Sequence, residues 1–359
     1  MIFIRTDANE VIASGHVMRC LTIADEIVNL GNKVCFIVSD NQSLSLIQDR
    51  GFKYIITNSE WDNVNPQKEY KILKQHIKST DLLLVDSYYI DNRYLNCMHR
   101  LMCKIATFDD MFTEKKDADI IINYNIFYKN FDYEGRYKNS NSILLLGERY
   151  VPLRKQFRKI HPMEHVRNFV RPKVLIMCGG GDLKNFIYSC LDYIYTNNIE
   201  LFYRIDWKVV VGNYYPYMEQ LNEISSENKN VHILKNVKNM AELMINCDIC
   251  ITAASTVLYE CCAMLLPTLF AVVADDQKYD AEAFSKDDMM IYCGNFLDDR
   301  DNVRRILLKE LETLTLNRKR LQNIKNKMRQ LIDVDGARRI ASILKEISKN
   351  ERLYYEKKR

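Results

Sequence analysis

His16 and Arg19 stand three residues apart in RTDANEVIASGHVMRC, residues 5–20, where a polar loop gives way to an amphipathic pattern. Gly15 before them permits a tight backbone approach. A histidine at the Ncap or first position of a helix meets the positive end of the helix dipole. That end disfavours an imidazolium, which suits the ring to act as a base. Arg19, on the same side at i+3, offers a guanidinium to a phosphate. A capping histidine beside a surface arginine is the plainer alternative for the same two residues.

Two further stretches carry chemistry. In MCGGGD, Gly179, Gly180, Gly181 and Asp182 follow an apolar run, so the backbone is free to approach an anion closely. The spacing is neither a dinucleotide fingerprint nor a Walker loop, and a plain tight turn is the alternative. In TAASTVLYE, Ala254, Ser255 and Thr256 are small or polar at an expected helix start, where amides and hydroxyls hold phosphate oxygens. Glu260 lies one turn beyond Thr256 on the same face and could accept the two hydroxyls of a ribose. An ordinary capped helix with a solvated glutamate remains the alternative.

The elements that must position these residues are legible as alternation. IFIR, KVCFIVSD, KYIIT, DLLLVDSYY, KIATFDD and DIIIN read as short apolar strands separated by helical spacing. After a basic, proline-interrupted stretch the alternation restarts with KVLIMCGGGD, WKVVVGN, NVHIL, CDICIT and PTLFAVV. From residue 300 the chain is helical and highly charged, and DGARRIASILKEI is one clear amphipathic helix. Strands apolar throughout imply parallel sheets covered on both faces. The expected architecture is α/β, two doubly wound parallel-sheet domains facing a cleft, with C-terminal helices. The expected boundaries are a catalytic domain at 1–157, a linker at 158–172, a second domain at 173–340 and a basic helical tail at 341–359. Ligands in such sheets bind beyond the carboxyl ends of the strands, so the loops after strands are the ones to inspect.

Composition narrows the classes. The 359 residues suit two domains. With 51 basic and 47 acidic residues the net charge is +4, and both signs are interspersed, unlike a nucleic-acid binder. No run reaches the roughly eighteen apolar residues of a membrane span, and MIFIRTD reads as a strand rather than a signal peptide. The eleven cysteines are odd in number and sit in apolar runs, as reduced core thiols do, which points to the cytoplasm. Cys247, Cys250, Cys261 and Cys262 lack the second CxxC knuckle of a zinc site, and DAD and DVD do not adjoin the anion loops, so no metal is expected.

The opening IRTDANEVIASGHVMRCLTIADEI closely resembles that of the UDP-2,4-diacetamido-2,4,6-trideoxy-β-L-altropyranose hydrolases of pseudaminic acid biosynthesis. The resemblance continues in order through LLVDSYYID, FDD, IINYNI, LRKQF, MCGGGD, ITAASTVLYE and DDQ, and ends near DGARRI. It departs at Ala13-Ser14-Gly15, where the family has a glycine pair, and at Asp276-Gln277, where it has Asn-Gln. It implies a Rossmann-like pair of domains of the glycosyltransferase-B type, needing no cofactor. His16 would be the catalytic group, with Asp7, Gly15, Arg19, Tyr88, Asn125 and Arg154 at the sugar. The glycine loop with Asp182 and the 254–256 helix start would hold the diphosphate, Glu260 the ribose, and Gln277 would complete the nucleotide site.

On that resemblance the expected reaction is attack of water at the anomeric carbon with inversion, releasing UDP. Diphosphate leaves as a stabilised anion, so one base and a cradle for negative charge suffice. A glycosyltransferase on the same fold is the rival enzyme, although the N-terminal half lacks a basic-apolar patch for a lipid acceptor. A non-catalytic UDP-sugar binding protein is the other rival, and it would have no need of a placed base.

Overall fold

The computed structural model describes residues 1–348 except 13, 163, 168, 169, 180, 181, 213 and 214. The chain divides into two compact units, Met1–Arg154 with Val334–Arg359, and Lys155–Asp333.

The first unit is built on β1 (Ile2–Thr6), β2 (Val34–Val38), β3 (Lys53–Ile56), β4 (Leu82–Asp86), β5 (Lys104–Phe108), β6 (Ile120–Asn123) and β7 (Ile143–Leu146). Its spatial order is β3-β2-β1-β4-β5-β6-β7, with every pair parallel. The second unit has β8 (Lys173–Ile176), β9 (Asp206–Val211), β10 (Val231–Lys235), β11 (Ile249–Ala253), β12 (Thr268–Val272) and β13 (Ile291–Asn295) in the order β10-β9-β8-β11-β12-β13, again parallel. Every residue of β1, β2, β4, β11 and β12 is buried, as unbroken apolar runs require in a sheet covered on both faces. The edge strand β3 is exposed or half-buried along its length.

Two strands go beyond the sequence expectation. Both β7 and β13 lie at sheet edges. As an edge strand β7 is mostly half-buried rather than an unbroken buried run, and β13 is interrupted by Gly294 at φ +119°. The expected strands also overran. In KVCFIVSD and DLLLVDSYY the polar ends are loops, and those loops build the site.

The terminal helix shifts the expected domain boundary. Gly336–Ser348, expected to straddle the second domain and the tail, packs on the first unit against helix Gly15–Asn29 and strands β1, β4 and β5. Ile340, Ala341 and Leu344 are wholly buried there, each large side chain contributing about 1.5–3 kcal/mol. Lys345 Nζ donates to the Leu30 carbonyl at 2.7 Å, at the end of the Gly15–Asn29 helix. Gly336 is required, because a Cβ there would fall 2.2 Å from the Val151 carbonyl oxygen. Residues 349–359 lie outside the described residues.

Candidate active site

In the first unit β1 is flanked by β2 on one side and β4 on the other, so the chain order reverses between β1 and β4. Thr6, the last residue of β1, is in register with Asp86, the last of β4. Such a reversal opens a crevice at the carboxyl ends of the strands. Helix Gly15–Asn29 starts beside it, with His16 as its second residue.

His16 Nδ1 lies 2.7 Å from Asp86 Oδ1. Asp86 is 1% exposed and also takes two bonds from Arg19, Nε to Oδ2 at 2.7 Å and Nη2 to Oδ1 at 2.5 Å. The guanidinium further donates to Asp110 Oδ2 at 2.7 Å and to the Tyr124 hydroxyl at 3.0 Å, and sits 4.2 Å from the centre of the Phe108 ring. Asn125 Nδ2 donates to the other oxygen of Asp110 at 3.3 Å. The Cys20 thiol closes on Asp86 Oδ2 at 3.3 Å.

Burial pushes the Asp86 carboxyl up, but the charge of Arg19, then that of His16, and the hydrogen bonds of both outweigh it. The net effect holds Asp86 well below the usual carboxylate range. An ionised Asp86 only accepts, so the hydrogen on the shared edge belongs to Nδ1, and whenever the ring is neutral its lone pair is on Nε2. This arrangement orients a general base: one ring nitrogen is tied and the other is left as the acceptor.

Beside the pair lies a shallow recess lined also by Asp7, Ile12, Ser87, Tyr88 and Tyr89. Tyr88 is 51% exposed and stands edge-on to the His16 ring, centroids 4.5 Å apart. Asp7 borders the recess, but its carboxylate is turned inward. Oδ1 accepts the Ser39 amide at 2.7 Å, and Oδ2 accepts Arg5 at 2.5 Å and the Ser39 hydroxyl at 3.1 Å. Arg5, fully buried, makes a two-pronged pair with Glu69 at 3.0 Å on each prong. Glu69 also accepts from Tyr94 and Thr57. Burial pushes Glu69 up, and Arg5 with these hydrogen bonds brings it below its ordinary value.

Several expected contacts take a different role here. Arg19 is 9% exposed and its guanidinium is bonded to two carboxylates and a phenol, which makes it a holder of Asp86 rather than a hand extended to phosphate. A Cβ at position 15 would meet nothing within 4 Å, so no contact within the protein requires glycine there. Asn125 is 7% exposed and bonded inward, and Arg154 is half-buried at the end of the first unit.

The second unit repeats the reversal, between β8 and β11. The loops after these strands run side by side. Gly179 has φ +65°, and a Cβ there would lie 3.8 Å from Ser255 Oγ. Gly180 and Gly181 lie outside the described residues. Asp182, expected at the nucleotide, is 2% exposed, and its two oxygens accept the amides of Phe186 and Ile187, each at 2.7 Å. It therefore caps helix Phe186–Asn197 and is not presented as a ligand. The Ala254 amide is bonded to the Ala271 carbonyl and the Ser255 amide to that of Ala253. The hydroxyls here belong to Ser255, half-buried, and Thr256, exposed at the start of helix Val257–Ala263. Glu260 lies half-buried one turn on, in helix Val257–Ala263. Gln277, after β12, spends its side-chain oxygen on the Val273 amide at 2.9 Å.

Asp86, Asp110 and Tyr124 were not singled out by the sequence. Their signal was present in LLVDSYYID, FDD and IINYNI, where polar residues end or directly follow apolar strands. Only the strand order shows that Asp86 faces His16.

All eleven cysteines are buried free thiols. Among the described residues, no helix is long and apolar enough to cross a membrane.

No family model matches the chain. An uncharacterized protein of Methanocaldococcus jannaschii is 27% identical over 281 residues, 75% of this chain and 54% of that protein, so the match spans about half of that relative's length. A UDP-2,4-diacetamido-2,4,6-trideoxy-beta-L-altropyranose hydrolase of Campylobacter jejuni is 24% identical over 277 residues, 76% of this chain and 90% of the hydrolase. Among solved structures, MurG of Acinetobacter baumannii superposes with TM-score 0.65 at 13% identity, over 96% of this chain and 99% of the other. The Streptomyces glycosyltransferase SsfS6, solved with thymidine diphosphate, gives 0.61 at 11% identity, over 96% and 99%. The fold is therefore that of the glycosyltransferase-B class, two parallel-sheet α/β domains with helices at the C-terminus.

Proposed function

We propose that the protein hydrolyses a UDP-sugar, releasing UDP and a 2,4-diacetamido-2,4,6-trideoxyhexose of the L-altrose type, by water attack at the anomeric carbon with inversion. The observation that carries this reading is His16 tied through Nδ1 to an ionised, buried Asp86 at the strand reversal of the first unit.

In the proposed step His16 Nε2 takes a proton from water as the water oxygen bonds to the anomeric carbon. The bond from that carbon to the diphosphate oxygen breaks, and UDP departs with its electron pair. The diphosphate is a stabilised leaving group, so no second carboxyl acid is needed, unlike an ordinary glycosidase. Asp86 stabilises the imidazolium that forms, and Arg19 with Asp110 keeps Asp86 in place. The second unit takes the nucleotide: Ser255 and Thr256 hydroxyls at the diphosphate, Glu260 at the ribose, with Gly179 giving the room for approach. The sugar falls to the first unit, at Tyr88 and the recess beside His16. Neither a metal nor a cofactor enters this reading, and the eleven buried thiols fit a reducing compartment such as the cytoplasm.

Glycosyl transfer is the second reading, favoured by the structural likeness to glycosyltransferases such as SsfS6. The same base would then take its proton from a sugar hydroxyl. Hydrolysis is preferred because the similarity to the curated hydrolase runs along 76% of this chain.

The test is to incubate the protein, with EDTA present, with UDP-2,4-diacetamido-2,4,6-trideoxy-β-L-altrose and follow the anomeric protons by NMR. Release of UDP with the opposite anomer appearing first is the expected result. Binding of UDP without turnover would overturn hydrolysis, and turnover lost only with EDTA would overturn the metal-free step.

A further inference from the structure

Two aromatic side chains line the His16 recess, Tyr88 and Tyr89, and a third, Trp61, packs against Tyr89. Tyr89 lines the recess beside Tyr88 and is 45% exposed. Trp61, half-buried on the loop after β3, meets Tyr89 edge-to-face, centroids 4.9 Å apart and planes at 87°. Loops after β3 and β4 thus bring large aromatic groups to one end of one sheet, next to a buried ion network. Apolar rings left open at the mouth of a polar site mark where the apolar part of a ligand lands. The edge-to-face contact fixes the two rings against each other, so little side-chain freedom is left to lose on binding.

We propose that Trp61 and Tyr89 form the subsite for the methyl-bearing side of the sugar, its deoxy carbon and an N-acetyl methyl, and so set substrate choice. This rests on the UDP-sugar reading above. A common hexose offers a hydroxymethyl where a 6-deoxy sugar offers a methyl, and N-acetylation adds a second methyl. Both suit the faces of an indole and a phenol, and the Tyr89 hydroxyl can meet the amide next to the acetyl methyl. One methyl in such a setting is worth about 10- to 200-fold in discrimination.

The experiment measures kcat and KM for wild type, Trp61→Ala, Trp61→Phe and Tyr89→Ala. The substrates are UDP-2,4-diacetamido-2,4,6-trideoxy-β-L-altrose and UDP-N-acetylglucosamine. Trp61→Ala and Tyr89→Ala are expected to raise KM for the deoxy substrate about 10-fold with little change in kcat, and to narrow the preference between substrates. Trp61→Phe should restore most of both. An unchanged KM and preference in Trp61→Ala and Tyr89→Ala overturns the subsite and leaves hydrolysis standing. A merely structural Trp61 would move kcat and both substrates alike.

A binding readout is independent of turnover. The chain has two tryptophans, and the other, Trp207, is wholly buried in the second unit. Titration with the free diacetamido-trideoxy sugar should give a saturable change in indole emission in wild type that is absent in Trp61→Phe. That change in a protein without hydrolysis would keep the subsite and overturn the hydrolase. Its absence in a protein that hydrolyses the substrate would overturn the subsite.

Discussion

The two units solve the same topological problem and furnish the solution differently. Each sheet reverses its strand order beside its first strand, between β1 and β4 in one and between β8 and β11 in the other. At the first reversal the carboxyl ends carry a locked ion network: His16, Arg19, Asp86 and Asp110, all at most 9% exposed. At the second stand Gly179, Ser255 and Thr256, which are small and uncharged. Of the acids nearby, Asp182 is committed to two helix amides, and Glu260 lies half-buried one turn beyond Thr256. Strand order decides where a site forms, and the side chains at the strand ends decide what it does. A network of fixed charges suits proton transfer, because it holds a base in one orientation. A small-residue loop suits a bulky anion, because nothing stands in its way.

The comparison is broken most sharply at the first reversal. His16→Asn should lower kcat on the order of 10²–10⁴-fold while leaving UDP affinity, measured by calorimetry, unchanged. A kcat near wild type would remove the base from the first unit. Asp86→Asn should approach that loss with the fold intact by circular dichroism. An amide in place of the carboxylate no longer requires the proton on Nδ1, so Nε2 ceases to be the lone-pair nitrogen. If Asp86→Asn retains activity while His16→Asn does not, the orienting role falls and the base survives.

The charged scaffold beneath the first site is tested by Glu69→Gln, which leaves buried Arg5 short of a counter-charge and should cost about 3–5 kcal/mol in urea unfolding. The pH dependence has a definite sign. The folded-state pKa values of Glu69 and Asp86 lie below those of the unfolded chain. Their contribution is therefore present in full above the unfolded carboxylate range of about 4 and is lost as pH falls through the lower folded values. Wild type should lose stability steeply below about pH 4, and Glu69→Gln should lose less over the same interval.

The smallest expected effect belongs to the second reversal. Gly179→Val places a β-branched residue at φ +65°, 3.8 Å from Ser255 Oγ, and should weaken UDP binding about 10-fold with kcat at saturation preserved. A fall in kcat with unchanged UDP affinity would mean that the assignment of nucleotide to one unit and chemistry to the other is wrong.

The sequence by itself determined the two α/β halves, because unbroken apolar runs spaced by helical patterns have few other ways to be buried. It also determined that His16 and Arg19 share a helix start, since three residues on a helix is a local distance. What it did not reach was set by chain segments far apart. His16 and Asp86 are 70 positions apart, and only the pairing of β1 with β4 brings them within 2.7 Å. The same holds for Arg19 and Asp110, 91 positions apart. The expected boundary at 340 likewise cuts through Gly336–Ser348, whose apolar face is buried against a helix that begins at residue 15. Periodicity is short-range, so it states that a face must be covered or that a strand must end in a loop. Which face covers it, and which carboxylate a histidine meets there, is decided by the order in which parallel strands pack.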